Sequence, residues 1–344
     1  MSKRLQSNSP LRPLAIGPVV AANPVLLAPM SGVTDVVFRR MSARLGAGMV
    51  VSEMVASREL ATADDEARLR AEGDGIGTHV VQLAGRDPTW MAEAARVAVG
   101  AGASIVDINM GCPAKKVVGG HGGSALLRDL DLAVRLVEST ASAVGAPVTV
   151  KMRLGWDAES IVAPELAARA EQAGARMITV HGRTRAQFYD GRADWGAIAA
   201  VKARISIPLV ANGDLLRAED APAMLAASGA DAVMIGRGAQ GRAWFPGQVA
   251  AFLQTGSAAV APSIQAQRAL AIEHYEGMLG LYGREVGVRH ARKHLGWYLD
   301  AAAETTGRQL DPAAKSAALT ARTVEEALGA FDRALNDLQW RAAA

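Results

Sequence analysis

The chain has 344 residues, half of them hydrophobic, with 37 basic against 34 acidic side chains and a formal net charge of +3. That allows one large domain or two ordinary ones with a sizeable core, and it permits a nucleic-acid partner without requiring one. A single cysteine excludes an internal disulfide and a Cys-rich zinc site and fits the reducing cytoplasm; the absence of any run of about 18 apolar residues argues against a membrane span.

The N-terminal stretch carries Lys3, Arg4 and Arg12 but no clean apolar segment, and Pro18 and Pro24 interrupt the apolar stretch after it, so no signal peptide is expected. From there short apolar runs recur, each succeeded by a helical pattern. The predicted strands are residues 24–30, 49–55, 78–83, 105–109, 147–152, 177–181, 208–212 and 232–235. They read as continuous Val/Ile/Leu/Met runs, the pattern of parallel strands covered on both faces. Gly46, Gly102, Gly145, Gly174 and Gly229 each lie just before a strand, where glycine ends a helix and turns the chain back. Eight strand–helix units over about 250 residues predict an α/β (β/α)8 barrel rather than an open doubly wound sheet. After residue 254 the pattern changes. A linker over 255–259 leads to predicted helices over 263–281, 288–302 and 311–340, with no further strand. The division is therefore 1–254, a barrel, and 255–344, a small helical domain. The helical part is not basic overall, with ten cations against ten anions, but Arg284, Arg289, Arg292 and Lys293 cluster with His290 and His294 between them.

The polar residues gather at the strand ends, which a barrel brings to one mouth. They are Ala28-Pro29-Met30, Glu53, Gln82, Asn109 with Cys112, Lys151 with Arg153, His181 with Arg183, Asn212-Gly213-Asp214 and Gly236-Arg237-Gly238. Any one of them could be a satisfied core residue; together they are hard to explain by packing. The last two loops are short and glycine-rich, which lets backbone amides approach an anion, and Arg237 adds a charged fork. A phosphate there with Lys151 deeper in the barrel would suit flavin mononucleotide, with Gln82 on its imide edge, although many barrels hold other phosphates at these loops. No metal site is expected.

The motifs Ala28-Pro29-Met30 with Gly32-Val33-Thr34-Asp35, Asn109-Met110-Gly111-Cys112-Pro113-Ala114-Lys115-Lys116, Lys151-Met152-Arg153, His181-Gly182-Arg183-Thr184, Asn212-Gly213-Asp214 and Gly236-Arg237-Gly238 resemble the tRNA-dihydrouridine synthases in order and spacing. Arg289-His290-Ala291-Arg292-Lys293-His294, with Trp297-Tyr298 after it, is similar to that family's C-terminal helical domain, and the match is nearest its bacterial B branch. The resemblance implies FMN as cofactor, NADPH as reductant and tRNA uridine as substrate. It implies that Ala28, Pro29, Met30, Gln82, Lys151, His181, Asn212, Gly213, Asp214, Gly236 and Arg237 line the flavin. Cys112 would donate a proton, with Asn109, Lys115 and Arg153 toward the uridine. Arg183, Arg185 and Arg192, with Lys116, would hold phosphate at the mouth, and Arg289, Arg292 and Lys293 would form a second grip on tRNA from the helical domain.

The expected chemistry is saturation of the uracil C5–C6 bond, with hydride to C6 and a proton from the Cys112 thiol to C5. The uridine must first swing out of its loop. Two other readings share part of this pattern: a flavin barrel reductase of a free pyrimidine, and a non-catalytic RNA-binding regulator. No obligate protein partner is evident, and neither the position of the uridine nor the oligomeric state is legible.

Overall fold

A computed structural model describes residues 13–120, 122–257 and 260–340. The N-terminal cations Lys3, Arg4 and Arg12, residues 258–259 of the expected linker, and the Trp340 side chain lie outside this description.

A two-stranded hairpin, β1 (Ala15–Ile16) and β2 (Val19–Val20), precedes the barrel. Eight strands build the barrel itself: β3 (Val25–Leu27), β4 (Met49–Ala56), β5 (His79–Ala84), β6 (Ile105–Met110), β7 (Val148–Arg153), β8 (Ala175–His181), β9 (Leu209–Asn212) and β10 (Ala232–Ile235). They pair in parallel and in sequence order, and β10 closes onto β3. The fold is the expected (β/α)8 barrel, and each predicted strand overlaps an observed one.

The strands alternate more than the sequence suggests. Val106, Ile108 and Met110 point outward into the apolar layer under the helices. Their neighbours point inward, and along each strand the inward column changes character. At the N-terminal end Ile105, Val80, Met177 and Val210 pack with Leu26, Met49 and Met234. Leu14 and Ile16, from the N-terminal segment and its hairpin, close this floor. Two residues further along, the inward positions become Asp107, Gln82, Thr179 and Asn212, all buried. The register sets Gln82 beside Asp107 and Asp107 beside Thr149; one layer higher, Asn109 sits beside Lys151, and Arg153 beside His181 beside Asn212. The barrel is thus a dry plug below and a polar cup above.

Of the five glycines expected to take left-handed turns, Gly46, Gly102, Gly174 and Gly229 have positive φ. Gly145 does not, because the preceding helix (Leu130–Ala143) ends in an extended Val144.

Helices Ile264–Tyr282, Arg284–Thr306, Pro312–Thr320 and Val324–Trp340 form the C-terminal helical region. The single helix expected over 311–340 is two, broken after Thr320, where Ala321 turns extended and Glu326 accepts from the amides of Arg322 and Thr323. The region has its own apolar core around Tyr275, Leu295, Leu299, Phe331 and Leu335, and Trp244 at the end of the barrel joins it. It docks on the first barrel helix (Val36–Arg44). Phe38 lies 5.2 Å from the His274 ring, and His274 meets His294 edge-on at 4.5 Å. Burial holds both histidines neutral, well below their ordinary range.

Candidate active site

The inward polar residues surround one cavity of about 460 Å³ at the C-terminal mouth of the barrel. All eleven residues expected around a cofactor line it: Ala28, Pro29, Met30, Gln82, Lys151, His181, Asn212, Gly213, Asp214, Gly236 and Arg237. Asn109, Cys112 and Arg153 line it as well. Strand β4 contributes Met54 rather than Glu53. Between Val51 and Met54 the pairing of β4 with β5 shifts. Glu53 faces the first loop instead, accepting from the Gly32 amide.

Cys112 sits in a turn held by its neighbours. The Asn109 side chain accepts from the Cys112 amide at 2.9 Å and from the Gly111 amide at 3.2 Å. The Cys112 carbonyl accepts from the Ser124 hydroxyl at 2.9 Å. Gly123 takes a φ of 57° there, and a Cβ on it would lie 2.7 Å from the same carbonyl, so only glycine fits. Burial pushes the Cys112 thiol above its ordinary value, against the Ala114 amide and the positive charges of Arg153 and Lys151. The thiol therefore stays protonated at neutral pH, as a proton donor must.

Lys151 projects into the cup with one hydrogen bond, to the Asn212 side chain at 3.1 Å. Asn212 is oriented in turn by donating to the Met234 carbonyl at 2.8 Å. Burial first, then the charge of Arg153, pulls the Lys151 ammonium down to about 8, against Asp107 and Cys112. An ammonium with two uncommitted donors in a half-dry cup favours an anion or a group that becomes one. His181 is held neutral, far below its ordinary value, by burial and by the charges of Lys151, Arg153, Arg183 and Arg237. Arg183 approaches its Nε2 at 3.4 Å. A guanidinium only donates, so Nε2 is the acceptor and Nδ1 carries the proton.

Two loops border the cavity with the glycine backbone and the cation that could hold an anion. After β9, Gly213 has φ 123° and Asp214 φ 54°. A Cβ on Gly213 would meet Ala193 at 2.6 Å and the His181 ring at 2.9 Å. After β10, Arg237 is nearly half exposed, bonded to Asp214 at 3.1 Å and stacked on the Tyr189 ring at 4.6 Å.

The residues expected to touch substrate differ in how much of their hydrogen bonding the protein itself uses. Arg183 is buried; it donates to both Asp214 oxygens and to the carbonyls of Asp190 and Gly191, leaving no donor for a phosphate at the mouth. Arg153 lines the cavity and braces its wall, donating from Nε and Nη1 to the carbonyls of Gly111, Thr184 and Phe188, and its Nη2 stays uncommitted. Asn109 lines the cavity with its oxygen committed to the Cys112 and Gly111 amides and one amide hydrogen to Gln82, which leaves the other hydrogen uncommitted. Lys115 and Lys116 are exposed on the short helix Lys115–Gly119, outside the cavity. Arg185 lies against the Trp156 and Phe188 rings, and Arg192 is exposed.

The basic cluster of the helical region is also divided. Its helix buries Val288, Ala291, His294 and Leu295. At about 100° per residue that leaves Arg289 exposed, turns Arg292 toward the Ala321 carbonyl, and points Lys293 back at the barrel. The Lys293 ammonium lies 3.0 Å from where a Cβ on Gly32 would stand. Burial lowers it from its ordinary range, against the pull of Glu53 and Asp35.

A parallel barrel with a polar cup, two glycine-containing loops around Arg237 and a lone protonated thiol at its mouth has the make-up of a (β/α)8-barrel enzyme. The dihydrouridine synthase family model matches residues 26–333. The chain belongs to that family. It is 58% identical over 278 residues to a protein named probable tRNA-dihydrouridine synthase from Rhizobium leguminosarum bv. phaseoli, covering 81% of this chain and 86% of that one. It is 55% identical to a protein of the same name from Rhodobacter capsulatus, covering 85% and 92%. At 47% identity, over 83% and 86%, it is similar to the tRNA-dihydrouridine synthase B of Pseudomonas aeruginosa, which supports the B branch. Among solved structures, the old yellow enzyme homologue of Zymomonas mobilis aligns with a TM-score of 0.51 at 16% identity, covering 75% of this chain and 95% of that one, a likeness of fold.

Proposed function

We propose that the protein reduces uridine in tRNA to 5,6-dihydrouridine, using FMN in the barrel cup and NADPH as reductant. The observation that carries the reading is the convergence of Lys151, Cys112 and the two glycine loops on one cavity. The residues fit a flavin mononucleotide. Arg237 and the amides around Gly213 and Gly236 suit the phosphate, and Lys151 has two free donors for the electron-rich ring edge. Gln82 adds a donor, since one hydrogen of its amide goes to Asp107 and the other is uncommitted. When bound and reduced by NADPH, the flavin supplies the hydride that reaches C6 of uracil. Cys112 then gives its proton to C5, and the thiol recovers a proton from solvent. Arg153, held against the Gly111 carbonyl, fixes the wall on which the Cys112 turn rests.

Bringing uridine to that depth requires the base to leave its stack. Exposed Arg289, Arg192, Lys115 and Lys116 are the cations suited to the surrounding phosphates. The helical region beyond residue 254 would then serve as the tRNA-holding domain, and a tRNA substrate places the enzyme in the cytoplasm. Among the described residues no helix is long and apolar enough to cross a membrane.

The test is mass spectrometry of nuclease-digested, previously unmodified tRNA after incubation with the protein, FMN and NADPH. A gain of two hydrogens on uridine, absent with Cys112→Ala, is expected. Reduction of free uracil or uridine without tRNA would point to a small-molecule reductase instead. Tight tRNA binding without flavin or turnover would point to a binding protein.

A further inference from the structure

Asp107 lies in the inward column of β6 but does not line the cavity. Its carboxyl is buried and fully occupied. One oxygen accepts from the Thr149 hydroxyl at 2.5 Å, the other from the Gln82 amide nitrogen at 2.7 Å. Gln82 then has only its carbonyl oxygen to offer on the other side, and it accepts there from the Asn109 amide nitrogen at 2.7 Å. Asn109 in turn has only its own oxygen left, which takes the amides of Gly111 and Cys112. Each amide can be turned end for end at little steric cost, and the direction is pinned from both ends, by Asp107 as acceptor at the Gln82 contact and by the Gly111 and Cys112 amides, which only donate.

We propose that Asp107 is a positioning residue. As the acceptor at the root of the relay Asp107–Gln82–Asn109–Cys112, it anchors Gln82, and through it Asn109, in the one orientation the Gly111 and Cys112 amides can use, and so holds the Cys112 turn with its thiol at the cup. It touches neither substrate nor cofactor. Its effect passes through two amides, the first of which also presents its remaining donor to the cavity. A reversed Gln82 would meet Asp107 with oxygen against oxygen. It would also leave Asn109 with two nitrogens facing each other, and the Cys112 and Gly111 amides would lose their acceptor. The relay asks for an acceptor at Asp107, not for a charge. An asparagine there can keep its oxygen toward Gln82 and give its nitrogen to the Thr149 hydroxyl, which accepts as readily as it donates. A leucine of similar size cannot.

This inference rests on the reading of Cys112 as proton donor, but its test does not depend on turnover. The chain has one cysteine, so alkylation by iodoacetamide reports on that thiol alone. The rate of alkylation is measured against pH for the purified protein and for Asp107→Asn and Asp107→Leu, each with a thermal melt. Asp107→Asn should keep the parent profile within about twofold, and Asp107→Leu should shift the rate at a given pH by tenfold or more while still melting cooperatively. If Asp107→Leu does not fold, Gln82→Met cuts the relay at its middle and is expected to give the same shift. Folded Asp107→Leu or Gln82→Met with the parent profile would overturn the relay. So would an Asp107→Asn profile displaced as far as that of leucine, because charge and not polarity would then be at work. An active Cys112→Ala variant would refute the proton-donor reading and leave the alkylation result standing, so the two failures are told apart.

Discussion

Arg183, itself buried, and the partly exposed Asp214 form a two-pronged ion pair, at 2.9 and 2.5 Å, that ties the end of β8 to the loop after β9. Asp214 also accepts from the Ala193 amide at 2.8 Å and from Arg237. One carboxylate thereby holds together the two glycine-containing loops that border the cavity, and it does so from a left-handed backbone that a non-glycine residue adopts at a cost.

Removing one partner should therefore loosen these loops and the fold together. Arg183→Met leaves Asp214 without its main partner and should cost roughly 3 kcal/mol, toward the lower end for breaking a buried pair because Asp214 is partly exposed. Flavin retention on gel filtration should fall in parallel. Wild-type stability with wild-type flavin retention would show that the pair is dispensable.

The same pair has a pH signature. Burial raises the Asp214 carboxyl, but the Arg183 hydrogen bond, the Ala193 amide and the charges of Arg183 and Arg237 outweigh it and hold it below its ordinary value. A depressed carboxylate stabilises the fold above its unfolded value and loses that contribution as pH falls through its folded value. The melting-temperature gap between the parent and Asp214→Asn should be constant from pH 8 to about 5 and shrink only in more acid solution, below the ordinary carboxylate range near 4. A gap that closes near neutrality would contradict the ion-pair account.

Lys151 gives a pH slope of the same sign in alkaline solution, but there the charged form is the penalty rather than the gain. Its ammonium is held down to about 8 against an ordinary value of 10.5. The unfolded chain binds the proton more tightly, so the buried charge destabilises the fold below pH 8 and the penalty is relieved as pH rises toward 10.5. In flavin-free protein at pH 7, Lys151→Met should be more stable than the parent by on the order of 2 kcal/mol, measured by urea denaturation, and should bind flavin poorly. A destabilised Lys151→Met would mean the cup already compensates the ammonium.

Cys112→Ala is expected to fold, keep flavin and lose at least about a hundredfold in turnover, the scale of a missing general acid. Because burial raises the thiol, turnover of the parent should stay flat through neutrality and fall only above the ordinary thiol range. A decline between pH 6 and 8 would assign the proton elsewhere.

Arg289 and Lys293 separate the two uses of the helical region. Arg289→Ala should weaken tRNA binding and reduce its salt slope by about one. Lys293→Ala should leave the slope intact and instead lower the melting temperature, since its ammonium faces Glu53 and Asp35 across the docking surface. Equal salt slopes for all three proteins would remove Arg289 from the phosphate contacts.

Much of this enzyme is legible in its sequence. Parallel strands must be covered on both faces, so residues 105–110, 148–153 and 175–181 announce themselves as apolar runs. Polar residues breaking such runs at eight successive C-terminal ends together read as a rim, although any one alone could be a satisfied core residue. The turn around Cys112 and the glycine loops are local, and local geometry is what a sequence encodes most directly. The short hairpin at Ala15–Val20 and the helix break at 321–323 carried weaker signals and were decided by packing. Which rim residues are free was decided by tertiary structure alone. Arg183 and Arg237 look alike in the sequence, yet Asp214, 31 residues beyond the first, buries one and leaves the other half exposed. Asn109 reads as a rim amide, and barrel closure brings Gln82, 27 residues earlier, within 2.7 Å, where it takes one of the two amide hydrogens. Lys293 reads as a phosphate ligand until helix rotation turns it onto the barrel. A residue's chemistry is written in its identity; whether that chemistry is spent inside the protein or offered to a ligand depends on register, closure and the angle of a helix, which bring together groups the chain keeps far apart.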